Sequence, residues 1–201
     1  GRTANSLFLR PGALKQAMLI DFPACRLGRD MGHYAGGNMD KKLQQTAEEL
    51  GEVLKARGMK VTFAESCTAG LAAMAVASAE SSADFFSRGF ITYTNQAKQE
   101  VLGVSRSALD TYTAVSEPVV REMAQGALRI SGEQAAVSIS GYAGPDGGPD
   151  GTPAGTVWFG WAFSDGLTVA EVETFSGDCE EVITAAAHFA LTRLIALLKN
   201  R

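Results

Sequence analysis

Apolar residues recur at three- and four-residue spacing at Leu43, Ala47, Leu50 and Leu54, which predicts an amphipathic helix over residues 41–55 closed by Gly58. A short apolar run at 61–64 reads as a buried strand. The Ala-, Leu- and Met-rich stretch 68–79 reads as a helix buried on much of its surface. Residues 85–94 predict a second strand and 96–102 a short helix ended by Gly103, with Asn95 as its cap. Ser105 has the features of a further N-cap. Val120, Met123, Ala124, Ala127 and Leu128 share one face of a helix over 117–130 that stops at Gly132. A third strand follows at 135–140. Residues 141–155 hold Gly or Pro at nine of fifteen positions, too many for helix or strand. Strands at 156–163 and 168–175 flank Ser164-Asp165-Gly166, a hairpin signature, and a last helix covers 179–198. Helices alternating with strands, then a closing hairpin, predict an α/β fold: a three-layer α/β/α sandwich on a mixed, mostly parallel sheet of about five strands.

Composition divides the chain. Its 201 residues are 46% hydrophobic and 20% charged, which suits one domain of ordinary size. The net charge is -4, yet residues 1–38 carry Arg2, Arg10, Lys15, Arg26 and Arg29 against Asp21 and Asp30, so residues 39–201 stand at -7. The first 38 residues show no sustained period and read as a basic leader or extension outside the core, with Met39 a plausible natural start and residues 39–201 the domain. A docking arm and a targeting peptide are the alternatives for the leader. The acidic balance, with a pI of about 5.3, argues against the broad basic face that nucleic-acid binding needs. No stretch approaches the ~18 uninterrupted apolar residues of a membrane span. Cys25, Cys67 and Cys179 are widely spaced and form no C-x-x-C pair, which suggests a reducing cytoplasm rather than a disulfide framework or a zinc knuckle.

Chemistry concentrates at three places. Glu65-Ser66-Cys67-Thr68-Ala69-Gly70 joins a strand to a helix, and ligands of open α/β sheets gather at that edge. Ser66 there is either a helix cap or a hydroxyl nucleophile, with the Cys67 and Thr68 amides placed to stabilise an oxyanion. Cys67 is the rival nucleophile but has no histidine partner: His33 lies in the leader and His188 inside the last helix, so no Ser-His-Asp triad and no metal set is indicated. Lys98, near the start of a helix, is either a solvated surface residue or, desolvated beside Ser66, a neutral amine able to take the serine proton. Tyr93 is either an edge packing residue or a relay for that proton. The loop from Ser140, with Gly141, Gly144 and Gly147, is either a long connection or a phosphate cradle.

Several motifs in order carry a resemblance: A-E-S-C-T-A-G at 64–70, G-F-I-T-Y-T-N-Q-A-K at 89–98, L-G-V at 102–104, A-V-S-E-P-V-V-R-E-M-A at 114–124, S-I-S-G-Y-A-G-P-D-G-G at 138–148, G-T-P-A-G-T-V at 151–157 and F-S-G-D at 175–178. Together they resemble the CinA carboxyl-terminal domain family over residues 40–200. The resemblance implies a stand-alone nicotinamide mononucleotide amidase, a homodimer of the bacterial cytoplasm without metal or organic cofactor, acting on a small nucleotide. It further implies Ser66 as nucleophile, Lys98 as base and Tyr93 as supporting relay, with Ser82 and Ser140 lining the site. Three positions depart from the family pattern. Ala69-Gly70 stands for Gly-Gly, a change within the predicted helix that propensity tolerates. Tyr142 replaces an aliphatic residue, a change expected to narrow or restack the nucleotide pocket. Cys179 replaces an arginine, which removes a bidentate donor for an anionic substrate and leaves backbone amides, Lys98 and Arg88 as candidate donors.

Overall fold

The computed structural model describes residues 39–201; the leader, with Cys25 and His33, lies outside the described residues. Asp40 caps the first helix, α1 (Lys41–Arg57), by accepting from the Leu43 amide at 2.9 Å, and Gly58 ends it at φ 60°. Then follow β1 (Val61–Glu65), α2 (Leu71–Ala77), a 3-10 turn at Ser82–Asp84, β2 (Phe86–Ile91), α3 (Asn95–Leu102), α4 (Arg106–Tyr112), α5 (Glu117–Ser131), β3 (Ala135–Gly141), β4 (Thr156–Phe163), β5 (Thr168–Thr174) and α6 (Cys179–Lys199).

The five strands form one sheet in the order β2-β1-β3-β4-β5. β1 pairs in parallel with β2 and β3, while β4 runs antiparallel to both β3 and β5, so only β4 is reversed. Every residue of β1 is buried, the mark of a strand covered on both faces. Helices α1, α2 and α6 pack one face over Phe63, Ile139, Phe159 and Trp161, whose indole donates to the Ala190 carbonyl at 3.1 Å. Helices α3, α4 and α5 pack the other through Leu102, Leu109, Val119 and Met123. This is the three-layer architecture with a mixed, mostly parallel sheet. The carboxyl ends of β1, β2 and β3 come together at one edge, with Glu65 in register with both Ile91 and Ile139.

Two boundaries differ from the sequence expectation, and both bear on the site. The helix predicted from residue 68 begins at Leu71, because Ala69 and Gly70 take left-handed backbone at φ 47° and 101°. The Ala69 departure therefore concerns backbone strain in a turn and not helix propensity. The strand predicted to residue 94 stops at Ile91, and Thr92 and Tyr93 bend away ahead of α3. Its cap is Thr94, which accepts from the Ala97 amide, and not Asn95. Ser105 caps α4 as expected. By length and by a mean hydropathy of 1.5 over an 18-residue window, α6 is long and apolar enough to cross a membrane, although His188 and Arg193 interrupt its apolar run. Its apolar residues Val182, Leu191, Leu194 and Leu198 are buried in the core.

Candidate active site

The site is built on the turn that follows β1. Ser66 extends the β1–β3 ladder by donating its amide to the Ile139 carbonyl at 2.9 Å, which fixes where its side chain starts. Its hydroxyl does not cap α2, whose N-cap is Gly70 with no side-chain bond; that alternative is overturned. Ser66 Oγ instead accepts from Lys98 Nζ at 3.0 Å. Thr94 starts α3 so that Lys98, in its first turn, points back under the sheet edge with 1% of its surface exposed. The solvated reading of Lys98 is overturned with it.

Burial lowers the Lys98 pKa from 10.5 to about 8, since a charged ammonium loses its water there. Nζ also donates to the Thr92 carbonyl at 2.9 Å and the Tyr93 carbonyl at 3.3 Å. A neutral amine has two N–H donors and one lone pair, so donation to both carbonyls leaves the lone pair facing the Ser66 hydroxyl. An ammonium donates to all three oxygens. Both protonation states are satisfied in one geometry, which is what a group that takes and returns a proton requires.

Cys67 is 9% exposed, and burial pushes its thiol up to about 12, so it stays protonated near neutral pH. In the turn, the amides of residues 66, 69, 70 and 71 all find acceptors. Among the described residues the amides of Cys67 and Thr68 have none, and the buried Thr68 hydroxyl also lacks a partner. These are the donors available to an oxyanion at Ser66.

The other expected residues are spread more widely. Tyr93 is 67% exposed and reaches the pair through its carbonyl, its phenol making no hydrogen bond among the described residues. Ser82 donates to the Ala77 carbonyl at 2.9 Å, closing the end of α2. Ser140, 1% exposed, donates to the Ala114 carbonyl at 2.8 Å. A Cβ at Gly141 would meet Val157 Cγ2 at 2.7 Å and the Thr156 carbonyl at 2.8 Å, so glycine is required at this approach. Gly144 takes φ 109°, and Gly147 packs against the Thr152 carbonyl. Much of the loop closes on itself: Gly148 donates to Thr152, Gly151 to Gly148, and Gly155 to Tyr142. The Tyr142 ring lies against Gly148 within the loop.

Cys179 is exposed in the first turn of α6, beside the capping carboxylates Asp178 and Glu181. With Leu71, Met74, Phe175 and His188 it lines a groove of about 1480 Å³ between α1, α2 and α6 that includes neither Ser66 nor Lys98. Arg88 is exposed in the middle of the edge strand β2.

Two contributors escaped the sequence reading. The Thr92 carbonyl carries no side-chain signal. Glu65, 1% exposed, accepts from the amides of Gly70, Ala72 and Ala73, and a charged residue ending the apolar run Val61-Thr62-Phe63-Ala64 was the available sign.

The site thus sets a buried lysine against a serine at the carboxyl end of β1, an interior strand of the three-layer α/β/α domain. The chain belongs to the CinA C-terminal domain family, whose model matches residues 43–198. It is 52% identical over 162 residues to a nicotinamide-nucleotide amidohydrolase PncC of Enterobacter agglomerans, a match covering 80% of this chain and 99% of that one. Protein YdeJ of Escherichia coli K12 is 45% identical over 169 residues, covering 80% and 98%. Among solved structures, a competence-damaged protein (CinA) superfamily protein from Klebsiella pneumoniae superposes with a TM-score of 0.78 at 42% identity, covering 79% of this chain and 99% of that chain.

Proposed function

We propose that residues 39–201 form an amidase that hydrolyses the carboxamide of nicotinamide mononucleotide to nicotinic acid mononucleotide and ammonia. The observation that carries this is the 3.0 Å contact between Lys98 Nζ and Ser66 Oγ, with the two lysine N–H groups engaged by carbonyls. Relatives bearing the amidohydrolase name supply the substrate.

In the reaction, Ser66 Oγ attacks the carboxamide carbon while Lys98 takes its proton, and the Cys67 and Thr68 amides hold the oxyanion. The C–N bond then breaks, and Lys98 returns the proton to the departing nitrogen, leaving an acyl-serine and ammonia. Water adds to the acyl carbon, giving its proton to Lys98, and the acid leaves as Ser66 recovers its hydrogen. A homodimer in the cytoplasm belongs to the same proposal, checked by light scattering of the eluted protein.

The test is ammonia release from nicotinamide mononucleotide with mass detection of the acid. Wild type turns over and Ser66→Ala loses at least ~10³-fold in kcat; equal slow release by both overturns the assignment. A second reading, a nucleotide-binding module without turnover, is favoured by one observation: Cys179 stands amid Asp178, Glu180 and Glu181, at a position where the motif resemblance implies an arginine. Turnover by Cys179→Arg and none by wild type would establish it.

A further inference from the structure

Glu65 sits one residue before Ser66 and has no place in the proton chemistry, yet it is a carboxylate with 1% of its surface exposed. Burying one is costly unless its oxygens are hydrogen-bonded. Here three bonds are made, all to the backbone across the turn: Oε2 accepts from Gly70 at 3.1 Å and Ala72 at 3.2 Å, and Oε1 from Ala73 at 2.8 Å. These donors lie in the N-terminal turn of α2, which has no cap of its own. The side chain thus clasps the far end of a loop that begins at its own Cα, and Ser66 to Ala69 are held between the two ends.

The main chain of Glu65 completes a ring. Its carbonyl accepts from the Thr92 amide at 2.8 Å, the Thr92 carbonyl accepts from Lys98 Nζ at 2.9 Å, and Nζ meets Ser66 Oγ at 3.0 Å. Ser66 is bonded covalently back to Glu65. The clasp also sorts the donors of the turn. Because the carboxylate takes residues 70, 72 and 73, and carbonyls take 69 and 71, only the Cys67 and Thr68 amides remain beside Ser66.

We propose that Glu65 is a positioning residue for catalysis, its carboxylate holding the turn that sets both the Ser66 hydroxyl against Lys98 and the two free amides against the developing oxyanion. The inference rests on the serine–lysine reading above. A misplacement of about 1 Å at a reacting centre costs on the order of 10²-fold in rate. Glutamine at 65 replaces one accepting oxygen with an NH2 that faces backbone N–H groups. Aspartate keeps the charge but is one methylene too short to span the turn.

The experiment compares wild type, Glu65→Gln, Glu65→Asp and Ser66→Ala, all as full chains, on nicotinamide mononucleotide across pH 6–10. Both Glu65 variants are expected to fold, to lose about 10²-fold or more in kcat with KM within about threefold, and to keep the wild-type midpoint of the pH profile, since the clasp acts on geometry and not on the lysine. Wild-type kcat in Glu65→Gln, or a loss confined to KM, overturns the role. So does failure of both variants to fold, which makes the carboxylate a folding requirement instead. The underlying reading fails separately, and is recognised separately, when Ser66→Ala retains wild-type turnover.

Discussion

At the scale of single residues, Lys98 is the group whose behaviour is most constrained. Among the described residues no carboxylate touches it, so the loss of hydration dominates and its pKa falls to about 8. Only the neutral amine takes a proton, so kcat/KM on nicotinamide mononucleotide is expected to rise with pH, reach half its limit near pH 8 and level off above it. Steady-state rates from pH 6 to 10 check this, and Lys98→Arg, always charged, loses at least ~10²-fold at every pH. Ala69 carries a different kind of constraint. Its φ of 47° puts a Cβ where the left-handed backbone disfavours one. Ala69→Gly relieves that strain at some cost in unfolded-chain entropy, and a net gain of about 0.5–1 kcal/mol is expected in urea denaturation. Ser66 and Lys98 stood out in the sequence as candidates by their hydroxyl and amine, residue type alone leaving the cap and the solvated surface residue open and the motif resemblance favouring the pair. The carbonyls of Thr92 and Tyr93, which orient the amine, did not, because any residue supplies the same backbone oxygen.

Among elements, α3 matters most, since it carries the lysine on two turns of helix. It is held by α5. The Arg129 guanidinium donates to the Leu102 carbonyl at 3.0 Å, at the end of α3 where a cation is also favoured by the helix dipole. Gly126 lets α5 approach so closely that an added Cβ would collide with that same carbonyl. Backbone cannot swing aside as a side chain does. Gly126→Ala is therefore expected to cost about 1–3 kcal/mol of stability and to lower kcat by shifting α3, measured by denaturation and by ammonia release. The sequence showed α5 clearly through its apolar face, but gave no sign of what Gly126 does there. Its reason lies in a contact between residues 24 apart in sequence, which no local pattern reports. The early start predicted for α2 failed for a related cause: Thr68-Ala69-Gly70 has acceptable helix composition, but the Glu65 carboxylate takes the amides and the backbone turns first.

In the whole molecule, the alternation of helices and strands was enough to read the layers, because parallel strands need helical crossovers and those crossovers must cover both faces. The strand order was not readable, since β1 sits between β2 and β3 for reasons of long-range pairing. The lack of a sustained period in residues 1–38 is the ground for treating residues 39–201 as the domain. A chain cut to those residues is expected to keep the wild-type kcat and melting temperature, checked by turnover and calorimetry. The placement of β1 has one more consequence. Ser66, the Tyr93 carbonyl and Lys98 all fall between β1 and α3, whereas the 141–155 loop and the start of α6 come from the second half of the chain. From that half, the Ser66 turn takes a backbone hydrogen bond, its amide donating to the Ile139 carbonyl. The serine and the lysine are thus carried by one continuous segment, residues 61–102, which a replacement of the 141–155 loop or of the start of α6 would leave uncut.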